Sequence, residues 1–548
     1  MPSPYKALGG RATGGSATGG ATNADAQRRR RAWLCGAALA LGLSIAVGCR
    51  PQGSSSPPLR MRGADNAGSS SEMLNNAIGV LRGMDESSTP ETLNSALARL
   101  NQWVASQPPL PDWKPDPLVE SLPAELQQLP ALATLAELQF PTIDGPLPPL
   151  FVCDELQEVV WLHEISEQAA GPESDPLARA TRLFDWTVRN IQLEAPGKAT
   201  APHVPADILL LGRGQASDRA WVFMLLARQQ GLDVVMLAKP QDATTTAGEL
   251  LPALLLDGEL YLFDPALGLP IPGPGGQGVA TLRQVADDDG LLRHMDLDAE
   301  HPYSLKSSDF QQVVALVEAS PIYLARRTRL VESALAGKQQ LAISVQPSKL
   351  AERMKTAAHV QEVRLWPLPY ERFRRRVDPD LATLRAWESA MQPFQQPTPI
   401  LRKARVRHLL GKNTGTEGAI AMYQHARPSQ REMQAMLDDP RVQQNRAQVV
   451  ALVALLTTSK EDASYWLGLV AFERGDYDTA IDYFQKRTLD ASPKGPWTAG
   501  ARYNLGRSYE AQGKSAEAVR QYEAGQSPQR PGNLLRARWL KERATATP

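Results

Sequence analysis

"GRGQASDRAWVFMLLARQQGLDVV", residues 212–235, decides how this chain is read. Gly212 and Gly214 mark a turn ahead of a helix-forming run, and Gly231 marks its exit. Within the run, Trp221, Val222, Phe223, Leu225 and Leu226, with Arg228, surround the helix almost completely. A helix that is apolar nearly all round belongs in an interior. The stretch therefore predicts the central helix of a packed domain.

Outward from it, "DPLARATRLFDWTVRNIQLE" begins at Asp175 and reads as another helix, while "LPALLLDGELYLFDPALG" (251–268) follows. Over roughly 175–290 this succession resembles the transglutaminase-like superfamily, a papain-like fold. Members show an "hxxWVxxxI" helix, a "GxGxCxDxA" turn opening the central helix, then strands carrying His and "DP". The resemblance implies a cysteine thiolate stabilised at a helix N-terminus, a histidine that relays its proton, and an aspartate that orients the histidine.

Counted from Asp218 and Ala220, the cysteine position is Ala216, whose methyl group cannot attack a carbonyl. Ser217 is adjacent, but one helical step turns a side chain by about 100°. It is read as a helix cap together with Gln215. The histidine window, Gly248 to Leu251, reads "GELL" and holds no imidazole; Asp264 of "FDP" keeps the third position. Asp-Pro is also a common strand-exit turn. Ala216 and Asp264 are thus the degenerate site, and no catalytic residue is assigned. The enzymatic alternative is a hydrolase or acyltransferase with Ser217 as relocated nucleophile and His203 as base. His163, His294 and His301 read as surface or structural residues, and Cys153 as a buried, inert thiol.

Near the other end, "SYWLGLVAFERGDYDTAIDYF" and "ARYNLGRSYEAQGKSAEAVRQY" align at a constant offset of 38 residues. Gly468 pairs with Gly506, Ala480 with Ala518, and Phe484 with Tyr522. The pattern resembles the tetratricopeptide repeat, whose period is about 34. The extra residues are expected to enlarge the loop "KRTLDASPKGPW". An upstream stretch, "GAIAMYQHAR", resembles the second helix of a further unit, and "GNLLRARWLKE" reads as a closing helix. Such arrays mostly hold protein partners in a concave groove; capping the preceding domain is the alternative.

The beginning of the chain is different. Arg28 to Arg31 precede an apolar run from Ala32 to Gly48, which ends at Cys49. Basic, apolar and small-residue parts in that order form a secretory signal, and "IAVGC" resembles a bacterial lipobox with Cys49 as the lipidated residue. The run is also just long enough for an uncleaved anchor. With Cys35 in the same run, only Cys153 falls in the folded body, which excludes a disulfide within it.

The whole chain has 548 residues, 43% hydrophobic and 22% charged, with 59 basic and 59 acidic side chains. That length predicts about two to four domains, and the balanced charge gives no pull toward nucleic acid. The expected organisation is a signal segment (1–49), a flexible linker (50–70), a helical and Pro-rich region (71–150), a degenerate transglutaminase-like domain (151–300), a mixed α/β region (301–400) and helical repeats (401–548, clearest over 463–531). In the mixed region, "QLAISV" and "VQEVRLWPL" are predicted strands of a small β-α-β unit, and Arg372 with Arg374 to Arg376 reads as a solvated face. The fold class is multidomain α+β with a C-terminal α-helical repeat array. No metal-ligand spacing, phosphate loop or nucleotide fingerprint occurs, so no cofactor and no metal is implied. The function expected is a non-catalytic, membrane-anchored protein of the cell envelope, binding protein partners through its repeats.

Overall fold

The computed structural model describes residues 66–83, 90–108, 112–141, 149–195, 204–243, 248–335, 337, 340–395, 399–439 and 445–546. Cys49, the linker as far as Asp65 and His203 lie outside them, as does the Cys153 side chain. All described residues belong to the unit Ala64–Pro548.

Helices α1 (Asn66–Gly83) and α2 (Pro90–Ala105) lead in. In α2, Leu97, Leu100 and Val104 are buried at the spacing the sequence shows. The Pro-rich passage then keeps only short turns, such as Pro117–Ser121, Ala124–Gln127 and Pro130–Ala133. Next come α3 (Pro149–Ala170), α4 (Pro176–Asn190), α5 (Pro205–Leu211) and the central α6 (Ala216–Gln229). Helix α4 starts where the Asp175 carboxylate accepts from the Ala178 amide and Pro176 fills the first position, which needs no donor.

Strands β1 (Gln192–Leu193) and β2 (Arg213–Gly214) pair in parallel beside α6. The main sheet contains β3 (Asp233–Ala238), β4 (Glu249–Leu256), β5 (Glu259–Asp264), β6 (Leu269–Pro270), β7 (Val313–Val317) and β8 (Val360–Leu365). Its order is β6-β5-β4-β3-β7-β8, antiparallel except for the β7–β8 pair. Both faces are covered. Val234 and Met236 of β3 join the core formed with α6, whereas Val235 and Leu237 join a second core with Val285, Leu292 and Tyr370. A strand buried on both sides reads as one continuous apolar run, as "DVVMLA" does.

The mixed region does not make a separate sheet. Between β7 and β8 run α7 (Arg326–Ala334) and α8 (Pro347–Met354), so the β-α-β crossover extends the main sheet, and α9 (Pro367–Val377) follows. "QLAISV" is not a strand. The Ala342 amide donates to Gln229 Oε1, and the Ile343 and Ser344 amides donate to Glu332 Oε2. Side chains satisfy that backbone, and Val313–Val317 takes the strand position instead.

The C-terminal part is helical. Helices α10 (Pro399–Leu409) and α11 (Ala419–His425) pack as a hairpin on α12 (Arg446–Glu473), where the Tyr423 ring lies 5.7 Å from that of Trp466. The upstream unit suggested by "GAIAMYQHAR" is therefore a stacked hairpin. The two clear repeats are α12 with α13 (Tyr477–Asp482), and α14 (Thr498–Ala511) with α15 (Ser515–Ala524); α16 (Arg530–Ala546) closes the array. At Gly468 a Cβ would come within 2.5 Å of the Phe484 ring, and at Gly506 within 2.5 Å of the Tyr522 ring. Ala480 and Ala518 are fully buried at the same crossings. The additional residues of the first repeat do not all enlarge the loop. Helix α13 continues as a π-helix over Tyr483–Leu489, past Lys486, the counterpart of Ala524 where α15 ends.

Among the described residues, no helix is long and apolar enough to cross a membrane. No cluster of His, Cys, Asp and Glu that could hold a metal occurs among them either.

Candidate functional site

The turn between β2 and α6 sets Ala216 at the first position of the helix. Gln215 stands at its cap position, and Asp218 Oδ2 accepts from the Gln215 amide at 2.8 Å. The Asp218 carboxylate thus ties the start of α6 without Ser217. Gly214 is required here because a Cβ would lie 2.8 Å from that of Asp218. Ala216 and Ser217 are half-buried, while Asp218 is fully buried and its Oδ1 lies 3.2 Å from Arg372 Nη2. Burial raises the Asp218 carboxyl above the usual range, against the pull of Arg372. Arg372, expected on a solvated face, is buried instead, because it pairs with this carboxylate.

Asp264 ends β5. Its Oδ1 accepts from the Ala266 and Leu267 amides, both at 2.8 Å, and its Oδ2 accepts from the Tyr303 hydroxyl at 2.6 Å. The carboxylate is occupied in holding the strand-exit turn and the 303 segment. Burial raises its pKa, and those same bonds oppose the rise.

The histidine window contains Glu249, the first residue of β4, which the sequence reading passed over. Its Oε1 accepts from Trp366 Nε1 at 2.7 Å. Burial pushes the carboxyl up to about 7, with Glu371 and Asp218 adding to the rise and Trp366 and Arg372 opposing it. Among the described residues, no imidazole hydrogen-bonds to Asp218, Glu249 or Asp264. His301 bonds to exposed Asp298, the His294 carbonyl accepts from Arg538, and His163 Nδ1 is buried without a partner. An arrangement of methyl group, carboxyl and turn-bound carboxylate can hold and exchange a proton at Glu249. At Ala216 it offers no nucleophile.

Beside this site, Arg219 is fully buried and binds neutral oxygens. It donates to the carbonyls of Ile191, Pro265 and Val188 and to Gln529 Oε1. Burial draws its pKa down to about 10. Gln529 precedes α16, so this one side chain joins the α+β part to the repeats.

Further contacts follow the same seam. Glu473, at the end of α12, accepts from Trp186 Nε1 and Asn190 Nδ2 through one oxygen, and lies 2.9 Å from His408 Nε2 through the other. Arg507 of α14 pairs with Asp185, Asn504 donates to the Arg189 carbonyl, and the Gly500 amide donates to Gln192. The first helices of both repeats therefore face α4 and β1. Gly468, Ala480, Phe484, Gly506, Ala518 and Tyr522 lie behind that face and pack helix on helix.

Two family models match the chain. Residues 163–245 match the one described as Transglutaminase-like superfamily, and residues 461–525 the one described as Tetratricopeptide repeat. No curated protein and no solved structure matches. Both segments are of kinds consistent with protein binding or scaffolding.

Proposed function

We propose that the chain is a non-catalytic scaffold in which a degenerate transglutaminase-like domain and tetratricopeptide-like repeats form one protein-binding body, tethered to a membrane of the cell envelope. The observation that carries this reading is Ala216 at the start of α6, where the family chemistry needs a thiol. Two others support it. Asp264 spends both oxygens on its own turn and on Tyr303. The first-helix face of the repeats is engaged with α4, so the array already carries a protein ligand within its own chain. The tether and the envelope location rest on Arg28 to Arg31, the apolar run and Cys49.

Purified protein incubated with a fluorescent amine and glutamine-containing peptides is expected to give no crosslinked or hydrolysed product. Turnover that disappears in Ser217→Ala would overturn the non-catalytic reading. Labelled palmitate supplied to bacteria expressing the gene should enter the wild-type protein and not the Cys49→Ser variant; equal labelling of both would sink the lipid tether.

A further inference from the structure

A groove open to solvent lies outside both matched segments. One wall is the 112–117 stretch, the other is 344–349, and Tyr323 and Leu324 form the floor. The walls are pinned together: Asp116 Oδ2 accepts from the Ser348 amide and hydroxyl, and Oδ1 accepts from the Leu118 amide. Three cations line the groove, Lys114, Arg329 and Lys349. Among the described residues none of them has an ion-pair partner. Of the two lining acids, Asp116 is committed to the wall and exposed Asp112 sets one negative charge against three cations, so the unspent charge is positive on balance. Half-buried Trp113, with Pro115 and Pro117, adds apolar surface to the same lining.

We propose that this groove binds an acidic peptide segment of another protein, with its carboxylates on Arg329, Lys114 and Lys349 and an apolar side chain against Trp113. Three features of the groove select that occupant. Cations without partners attract carboxylates, and Arg329 can receive one in bidentate fashion. Apolar surface in the same groove as the charges suits a chain carrying side chains of both kinds better than a bare inorganic anion. The walls are irregular over 113–116 and 344–346, before α8 starts at Pro347, and the groove between them is open to solvent, which leaves room for a peptide segment to lie along it. The chain's own N-terminal stretch does not fit, because Arg28 to Arg31, Arg50, Arg60 and Arg62 give it the same sign as the groove.

The test uses full-length protein in detergent and a fluorescein-labelled peptide alternating Glu with Leu, followed by anisotropy. Wild type is expected to bind, with affinity falling as salt rises. Arg329→Glu combined with Lys349→Glu should weaken binding by about tenfold or more, while Lys486→Glu, on an exposed helix of the repeats, should not. Trp113→Phe should remove a peptide-induced change in tryptophan emission, and unchanged circular dichroism will show that each variant is folded. Wild-type binding that is absent, that survives the double charge reversal, or that inorganic tripolyphosphate displaces as readily as unlabelled peptide would overturn the proposal. None of these readouts depends on whether the site at Ala216 is catalytic.

Discussion

At the scale of single residues, Glu249 is the group whose behaviour the structure determines and the sequence conceals. A carboxyl in the "GELL" window carries no mark until Trp366, 117 residues away, donates to it and Asp218 comes near. Its folded pKa, about 7, stands above an ordinary value of 4.5. The proton is therefore held more tightly in the folded protein. The stability this gives is fully present below about 4.5 and is lost as pH rises through about 7, with a magnitude on the order of 3 kcal/mol. Glu249→Gln should flatten the decline of melting temperature between pH 4.5 and 8 and make the variant the more stable protein at pH 8. Parallel curves for the two proteins would show that Glu249 does not titrate in this range. That Ala216 opens a helix and Asp264 ends a strand, by contrast, is legible from the glycine turn and the Asp-Pro pair alone. Tyr303, which occupies Asp264, lies 39 residues further on and leaves no local sign.

Among the elements, α6 and the two repeats are readable because their patterns are long and their small residues fall at helix crossings. Strand β7 is not. "VVALV" is a short apolar run, which periodicity cannot assign to helix or strand. "QLAISV" misleads for the opposite reason: it has strand-like composition, but Gln229 and Glu332 take its amides. Packing between elements yields a sharp contrast between two glycines. A Cβ on Gly532 of α16 would lie 1.8 Å from the Leu267 carbonyl, whereas one on Gly79 of α1 would meet nothing within 4 Å. Gly532→Ala should cost about 1–3 kcal/mol, and Gly79→Ala should gain about 0.5–1 kcal/mol through helix propensity. Urea unfolding of both variants checks the pair; equal shifts would mean that α16 is not seated against β5 and β6.

In the molecule as a whole, the boundary drawn by composition between an α+β part and a helical part is not a boundary in packing. One apolar core includes Leu74 of α1, Phe223 of α6 and Tyr522, Ala537 and Leu540 near the C-terminus. Ending the chain at Gln529 removes α16 and uncovers that core. The truncated protein should lose stability in the α+β part as well as in the repeats, seen as one earlier transition by both tryptophan emission and circular dichroism. Survival of the α+β transition at its original midpoint would show two independent folding units. The reach of Arg219 also bears on how the protein is made. Its partner Gln529 is translated 310 residues after it, in the same segment as the residues that seal the core behind it. Until that segment emerges the nascent chain keeps an open seam along α4, and that interval is when chaperones meet it incompletely folded.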